Sequence, residues 1–458
     1  MLIPKVEKFI GIETYVTRSP GIGGVIKQSV EDFVVEEVLV DGSKAQVDHQ
    51  FARGVLGSSQ TKQRYLLCVL VKRDWDTFRA IRAVAEQLNI NTAQIHIAGI
   101  KDAKALTAQH IAIEGVTEED IEEVKVKDLE VRLIGYFRSK LSSYYLRGNS
   151  FQVTIRGIRF AKSTIQERIS RTVEELRAHG GLPNFFGHQR FGTTRPITHL
   201  VGKAIVKGDF RKAAMLFLTK TSPYEHPESQ RAREELRDTR DIKKALGVFP
   251  KTLHYEGLML KHLVSRQDDF VGAFKRLPMK LRLLFPQAYQ SYLFNRFLSG
   301  RIREELPLNE AGVGDYVVSL ERSGIPNVMM SRKVNAENLE EINVAIEKGK
   351  MRLALPLIGF KRGTSHGVQG EIEKKVMSAE GIAPEEFQVK DMPEVAARGE
   401  LRTALVPLND FRLDEISQDS ANPSKRLARM RFTLRRGSYA TVLLRELMKA
   451  RDPIRAGF

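Results

Sequence analysis

The tightest constraint on the fold lies in residues 65–102, where a strand, a helix and a second strand follow one another with little chain between them. Residues 65–71 are almost wholly apolar and predict a buried strand that encloses Cys68. A helix is predicted from Asp76 and Thr77, with Phe78, Ile81, Val84, Ala85 and Leu88 on one face. Ile95, Ile97 and Ile100, with Ala98, then predict a short buried strand, and Gly99 lets its backbone approach a neighbour. Such a unit delivers Lys101 and Asp102 to a sheet edge or cleft, where loops commonly hold the chemistry. An aspartate after a strand often does no more than cap the next turn. A carboxylate beside a lysine, at the end of a buried strand and before small residues, is also placed for catalysis.

On either side the chain alternates between strand-like and helix-like patterns. Residues 24–40 are rich in β-branched residues and predict one or two strands before the turn at Asp41 and Gly42. Residues 50–63 are polar and Gly/Ser-rich, the composition of a mobile loop. Strands are expected at 111–113, 131–137 and 151–158, with Arg147, Gly148 and Asn149 as the turn before the last. The acidic stretch 118–123 reads as a solvated helix face, and 163–179 as a helix stopped by Gly180 and Gly181. Residues 193–282 are mostly helical and highly charged. A helix is expected from Phe285, with Pro286 in its first turn and Gly300 past its end. Strands are predicted again at 315–320, 351–358, 401–406 and 429–434, and helices at 371–380 and 442–449.

Residues 184–192 fit neither pattern. Three phenylalanines and two glycines are interleaved with Asn184, His188, Gln189 and Arg190. An aromatic cluster by itself is usually core. Polar residues set between the rings suit a loop that presents a stacking surface with hydrogen-bonding partners.

Charge bears on the partner. The 458-residue chain carries a net charge of +17, and residues 422–458 hold ten Lys/Arg against only Glu446 and Asp452. So uneven a distribution favours a polyanion, since each neutralised phosphate releases counterions. Cys68 is the only cysteine, which excludes an intrachain disulfide and a thiolate zinc cluster and suits a reducing, cytoplasmic setting. A zinc deaminase would need a Pro-Cys-x-x-Cys pattern, and a nucleotide-dependent enzyme a Gly-x-x-x-x-Gly-Lys-Ser/Thr loop; neither is present. No apolar run reaches the ~18–20 residues needed to span a bilayer, and no signal-peptide pattern opens the chain, so a soluble protein is expected.

Gly99, Lys101, Asp102, Ala105, Thr107 and Gln109 spell Gly-x-Lys-Asp-x-x-Ala-x-Thr-x-Gln, a string far longer than a cap needs. It resembles the active-site signature of the TruD family of tRNA pseudouridine synthases, in its archaeal and eukaryotic branch. Four further blocks resemble the family in the same order: residues 27–36, 184–192, 286–295 and 431–446. The resemblance implies an α+β fold, a pseudouridine synthase core with a long mixed, mainly antiparallel sheet flanked by helices, plus a large inserted α+β domain. The catalytic domain is expected at 1–192 and 405–458 and the insertion at 193–404, with tRNA in the basic cleft between them.

It further implies isomerisation of a tRNA uridine to pseudouridine, typically position 13 in the D-arm, by a monomer with neither cofactor nor metal. Asp102 matches the catalytic aspartate. Lys27 matches the basic position of the first block and is favoured as its ion-pair partner over Lys101, because neighbours on an extended strand point to opposite faces. Phe186 matches the residue that stacks on the everted base, and Asn184 a polar residue that orients the loop or the nucleotide. Gln189 and Arg190 are expected beside them. For Tyr439 and Arg445, packing and RNA contact are both open. At Gly399, Glu400, Leu401 and Arg402 the chain departs from the paired arginines expected of many relatives, so no RNA contact is expected of Leu401. The rival reading is a non-catalytic tRNA-binding protein that uses the same cleft.

Overall fold

A computed structural model describes residues 2–48, 54–321 and 323–458. Part of the loop expected at 50–63 lies outside the described residues. Six strands come from the first third of the chain: β1 (Phe33–Leu39), β2 (Tyr65–Arg73), β3 (Ile95–Ile97), β4 (Leu106–Glu114), β5 (Leu129–Phe137) and β6 (Leu146–Ile158). The strands Asn409–Asp419 and Asn422–Arg435 return to join them. In the resulting eight-stranded sheet Asn409–Asp419 is followed by Asn422–Arg435, β6, β1, β4, β2 and β5, with β3 on β4. Only the β1–β4 pair is parallel. The sheet is therefore mixed and mainly antiparallel, as expected.

A second, four-stranded antiparallel sheet is built from Glu400–Thr403, Met351–Leu357, Tyr316–Leu320 and Pro326–Lys333, in that order. Among the described residues eight α-helices run between β6 and Tyr316, of which Met279–Arg303 is the longest. One apolar cluster joins both parts: it holds Phe33, Val153 and Phe432 of the first sheet together with Phe285, Tyr289, Phe294 and Leu355. Among the described residues no helix is long and apolar enough to cross a membrane.

Several local expectations are corrected. β3 ends at Ile97, and residues 98–105 are a loop. Arg147, Gly148 and Asn149 are not a turn but part of β6, where Gly148 lies opposite both Val38 and Arg435. A Cβ at Gly148 would stand 2.1 Å from the Leu434 carbonyl oxygen, so the glycine serves close strand packing. Pro286 lies inside the long helix rather than in its first turn. Gly300 also lies inside it, because a Cβ there would come 2.4 Å from Ile372 Cγ2 of the helix Gly367–Glu380. The strand expected at 401–406 is split: Glu400–Thr403 belongs to the second sheet, whereas Leu405–Val406 pairs with Leu182–Pro183. The helix Thr77–Gln87 buries Ala80, Ile81, Val84 and Ala85 on β2 and β4, but Phe78 is 48% exposed.

Glu373 sits where the helix Gly367–Glu380 packs on the long helix. Its carboxylate is buried and accepts from Ser365 N (2.6 Å), Ser365 Oγ (3.1 Å) and Gln369 Nε2 (2.8 Å). Burial nevertheless pushes the carboxyl up from 4.5 to about 7. A group raised in the folded state is at no disadvantage below the unfolded value, and its penalty is complete once pH passes the folded one. Glu373→Gln should therefore lose less stability than the wild type between pH 5 and pH 8, by on the order of 3 kcal/mol. Denaturant unfolding at the two pH values measures this, and equal losses in both proteins would refute it.

Candidate active site

The loop 98–105 carries Asp102 and is fixed from below. Thr77 Oγ1, in the first turn of its helix, accepts from Lys101 N (3.1 Å) and donates to Lys101 O (3.2 Å). Lys72, buried near the end of β2, donates from Nζ to the Asp102 carbonyl (2.5 Å) and the Trp75 carbonyl (2.7 Å). Burial pushes the Lys72 amine down to about 8, against the opposing pull of Asp102 and Asp76. Lys101 turns inward: its Nζ lies 2.5 Å from Glu37 Oε1, and both side chains are sealed from solvent. Glu37 Oε2 accepts from His110 N (2.9 Å) and meets His110 Nδ1 at 3.1 Å. Burial alone would raise the Glu37 carboxyl, yet Lys101 and His110 outweigh it and hold the group below its ordinary value.

With Lys101 committed inward, the Asp102 carboxylate faces the other way. Lys27 Nζ approaches its Oδ1 at 3.5 Å, and about a third of the Asp102 side chain stays open to solvent. Lys27 adopts a left-handed backbone (φ +58°), uncommon for a residue with a side chain. Its ammonium also lies 4.3 Å from the centroid of the Phe33 ring, a cation–π contact. Of the two lysines weighed for the pair, Lys27 is the one that meets Asp102.

The loop 184–190 forms a second cluster. Phe186 is held through its main chain: Asn295 Oδ1 accepts from Phe186 N (2.8 Å), and Asn295 Nδ2 donates to Phe186 O (3.1 Å). Its ring is nearly buried, edge-on to Phe294 (5.6 Å) and Tyr439 (6.1 Å). The Arg402 guanidinium lies over it at 3.9 Å and that of Arg190 at 5.6 Å. Asn184 is an internal brace: its Nδ2 donates to Thr403 O (3.0 Å) and Oγ1 (3.1 Å), and its Oδ1 accepts from Arg402 Nη2 (2.6 Å). Arg190 donates to Ser291 Oγ and Gln287 Oε1, while the exposed Gln189 accepts from Thr441 Oγ1. Among the described residues neither Arg402 nor Arg190 has a carboxylate partner. Burial lowers both guanidinium pKa values, that of Arg402 to about 10.

Arg445 belongs to neither cluster. It is buried between Glu7, Glu446 and the Tyr15 ring, and so fastens the last helix to the N-terminal segment. Among the described residues no hydrogen bond, ion pair or ring contact joins Asp102 or Lys27 to residues 184–190. Their common ground is the apolar cluster beneath, which contains Phe33, Ala105 and Phe186.

The sequence reading missed Lys72, Glu37, His110, Arg402 and Asn295. For two of them a signal existed. Asn295 closes the block recognised at 286–295, and Arg402 stands in the stretch that was weighed only for Leu401. Lys72 and Glu37 lie in strands where alternation is the sole guide.

These observations agree with the comparisons to known proteins. The family model described as tRNA pseudouridine synthase D (TruD) matches residues 9–447. A curated relative from Methanosarcina acetivorans, named "Probable tRNA pseudouridine synthase D", is 39% identical over 454 residues, 99% of each chain. One of the same name from Thermococcus onnurineus is 36% identical over 437 residues, 95% of this chain and 97% of the relative. A crystal structure from Methanosarcina mazei, described as "Putative tRNA pseudouridine synthase D (TruD)", superposes with a TM-score of 0.84 at 37% identity, the match covering 99% of this chain and 100% of that one. The chain belongs to the tRNA pseudouridine synthase D (TruD) family.

Proposed function

We propose that this protein isomerises a uridine of tRNA, at position 13 of the D-arm, to pseudouridine, with Asp102 as the catalytic carboxylate. The observation that carries the reading is the Lys27–Asp102 pair, open to solvent on a loop whose main chain is tied down on both sides. In the reaction the N1–C1′ bond breaks, the uracil turns and C5 bonds to C1′; the C5 proton leaves and N1 gains one, so no electrons are exchanged. Asp102 acts at the sugar, either by attack on C1′ or by help in removing a sugar proton. Lys27 keeps a negative charge favourable there while the entering base displaces water.

The target base must leave the RNA stack to reach Asp102. Phe186 is its stacking partner, and Arg402 covers that ring. Stacking therefore requires the guanidinium to give way, and a phosphate is its natural destination. Arg190 and Tyr439 border the same ring, Gln189 accepts from Thr441 nearby in the loop, and Asn184 holds the loop in place through Thr403 and Arg402. Residues 1–192 and 405–458 form the catalytic domain in this reading, and 193–404 the inserted one. Its setting is the cytoplasm.

Asp102→Asn should make no pseudouridine from unmodified tRNA while it still binds that tRNA, because phosphate contacts set the affinity. Site mapping of the product together with a binding titration decides this, and product from the variant would end the assignment. A wild type that binds tRNA and yields no product would point to the non-catalytic reading.

Phe186→Ala should lower turnover roughly 5- to 150-fold, the worth of one base stack at about 1–3 kcal/mol. The salt dependence of its tRNA binding should hardly change. Equal losses in turnover and in the salt slope would argue against stacking.

A further inference from the structure

Phe78 is the aromatic residue that the helical pattern assigns to the core and the structure does not. The buried stripe of its helix runs through Ala80, Ile81, Val84 and Ala85, whereas Phe78 projects from the first turn with 48% of its surface exposed. Its place is set by Thr77, bonded both ways to the main chain of Lys101. Phe78 therefore follows one member of that bonded pair, and Ile100, 62% exposed, precedes the other. Two apolar side chains thus stand open at the loop that carries Asp102.

An ammonium accompanies the Phe78 ring. Lys280, from the start of the long helix, places Nζ 5.4 Å from the centroid of the Phe78 ring. Lys280 and Lys104 are exposed, and among the described residues neither has a carboxylate partner. The nearest acid in sequence, Asp76, already accepts from Phe78 N (3.0 Å) and Arg79 N (3.1 Å) as the helix cap. An exposed ring beneath an uncommitted ammonium suits a planar base joined to a phosphate.

We infer that Phe78 and Lys280 form a second nucleotide site, in which the base next to the target uridine stacks on Phe78 and its phosphate meets Lys280. The inference rests on the tRNA reading above. Eversion of the target leaves its neighbour without a stacking partner on one side, and the Phe78 ring, beside the Asp102 loop, restores one. Because Lys280 belongs to the inserted helix and Phe78 to the sheet-packed one, a nucleotide held there would touch both parts of the chain.

The test uses the full-length protein and unmodified tRNA. Phe78→Ala should raise KM by roughly tenfold or more, the size of one lost stack, with the loss carried by KM more than by kcat. Phe78→Trp should restore it. Lys280→Met should reduce the salt slope of tRNA binding by about one. 2-Aminopurine placed beside the target should be quenched by the wild type and by Asp102→Asn, and less so by Phe78→Ala. Wild-type KM and wild-type quenching in Phe78→Ala would overturn the site. A lower melting temperature with unchanged tRNA affinity would also overturn it, and would make Phe78–Lys280 a fastening between helices. Absence of pseudouridine from the wild type would instead remove the reading on which the site rests.

Discussion

The buried Lys101–Glu37 pair is the interaction on which the site depends. Two opposite charges sealed from solvent are costly to desolvate and recover that cost only when further hydrogen bonds complete the group. Here His110 supplies a main-chain N–H and a ring nitrogen to the second carboxylate oxygen. Loss of either charge would strand the other, a penalty of about 3–5 kcal/mol. The arrangement leaves Lys101 one way to point. Its neighbour is then turned outward, where Lys27 meets it. The lysine beside Asp102 in sequence thus serves its orientation, and the lysine 75 residues away serves its charge.

The stacking wall has a different origin. Asn295, Ser291, Gln287, Thr403 and Arg402 all come from the segment between the two halves of the first sheet, and they fix Phe186, Arg190 and Asn184. The long helix can offer a row of polar side chains to that loop because its other faces are buried among aromatics: Phe285, Tyr289, Phe294 and Phe297 are all fully buried. Residues between Gln287 and Thr403 therefore supply the supports of the ring proposed to hold the base.

Much of this was legible in the sequence. The strand–helix–strand unit, the helix start at Asp76 and the aromatic loop followed from residue pattern and composition, and the return of the chain to the first sheet from the family resemblance. What escaped was non-local. The edge strand Asn409–Asp419 is dense in charge, as solvent-facing edges are, and so carries little apolar signal. Gly148 and Gly300 looked like breaks, yet each lies inside an element because a neighbouring backbone or side chain comes too close for a Cβ. Phe78 kept helical spacing with the core, yet its side chain is 48% exposed while Thr77 beside it is buried. The Lys27–Asp102 pair could be chosen over Lys101–Asp102 by strand alternation, although residues 98–105 turned out to be a loop. What reversed the side chains was the tether through Thr77 and Lys72 and the pull of Glu37.

The cations of the site fall into two groups, and the division explains why excess charge does not by itself mark a binding surface. Lys27, Lys72 and Lys101 are committed to a carboxylate or to carbonyls. Among the described residues Arg402 and Arg190 have neutral hydrogen-bond partners and aromatic faces, that of Phe186 for both and that of Phe294 for Arg402. A guanidinium is weakly hydrated and planar, so an aromatic face compensates part of its desolvation, whereas an ammonium in the same place would pay more. Burial still lowers both arginine pKa values, which means the charged form is held at a cost. That cost is relieved by whatever anion reaches them. The same stacking that shields the Phe186 ring thus leaves its two guanidiniums with unmet demand for negative charge, and in the proposed function arrival of a phosphate and exposure of the ring are one event.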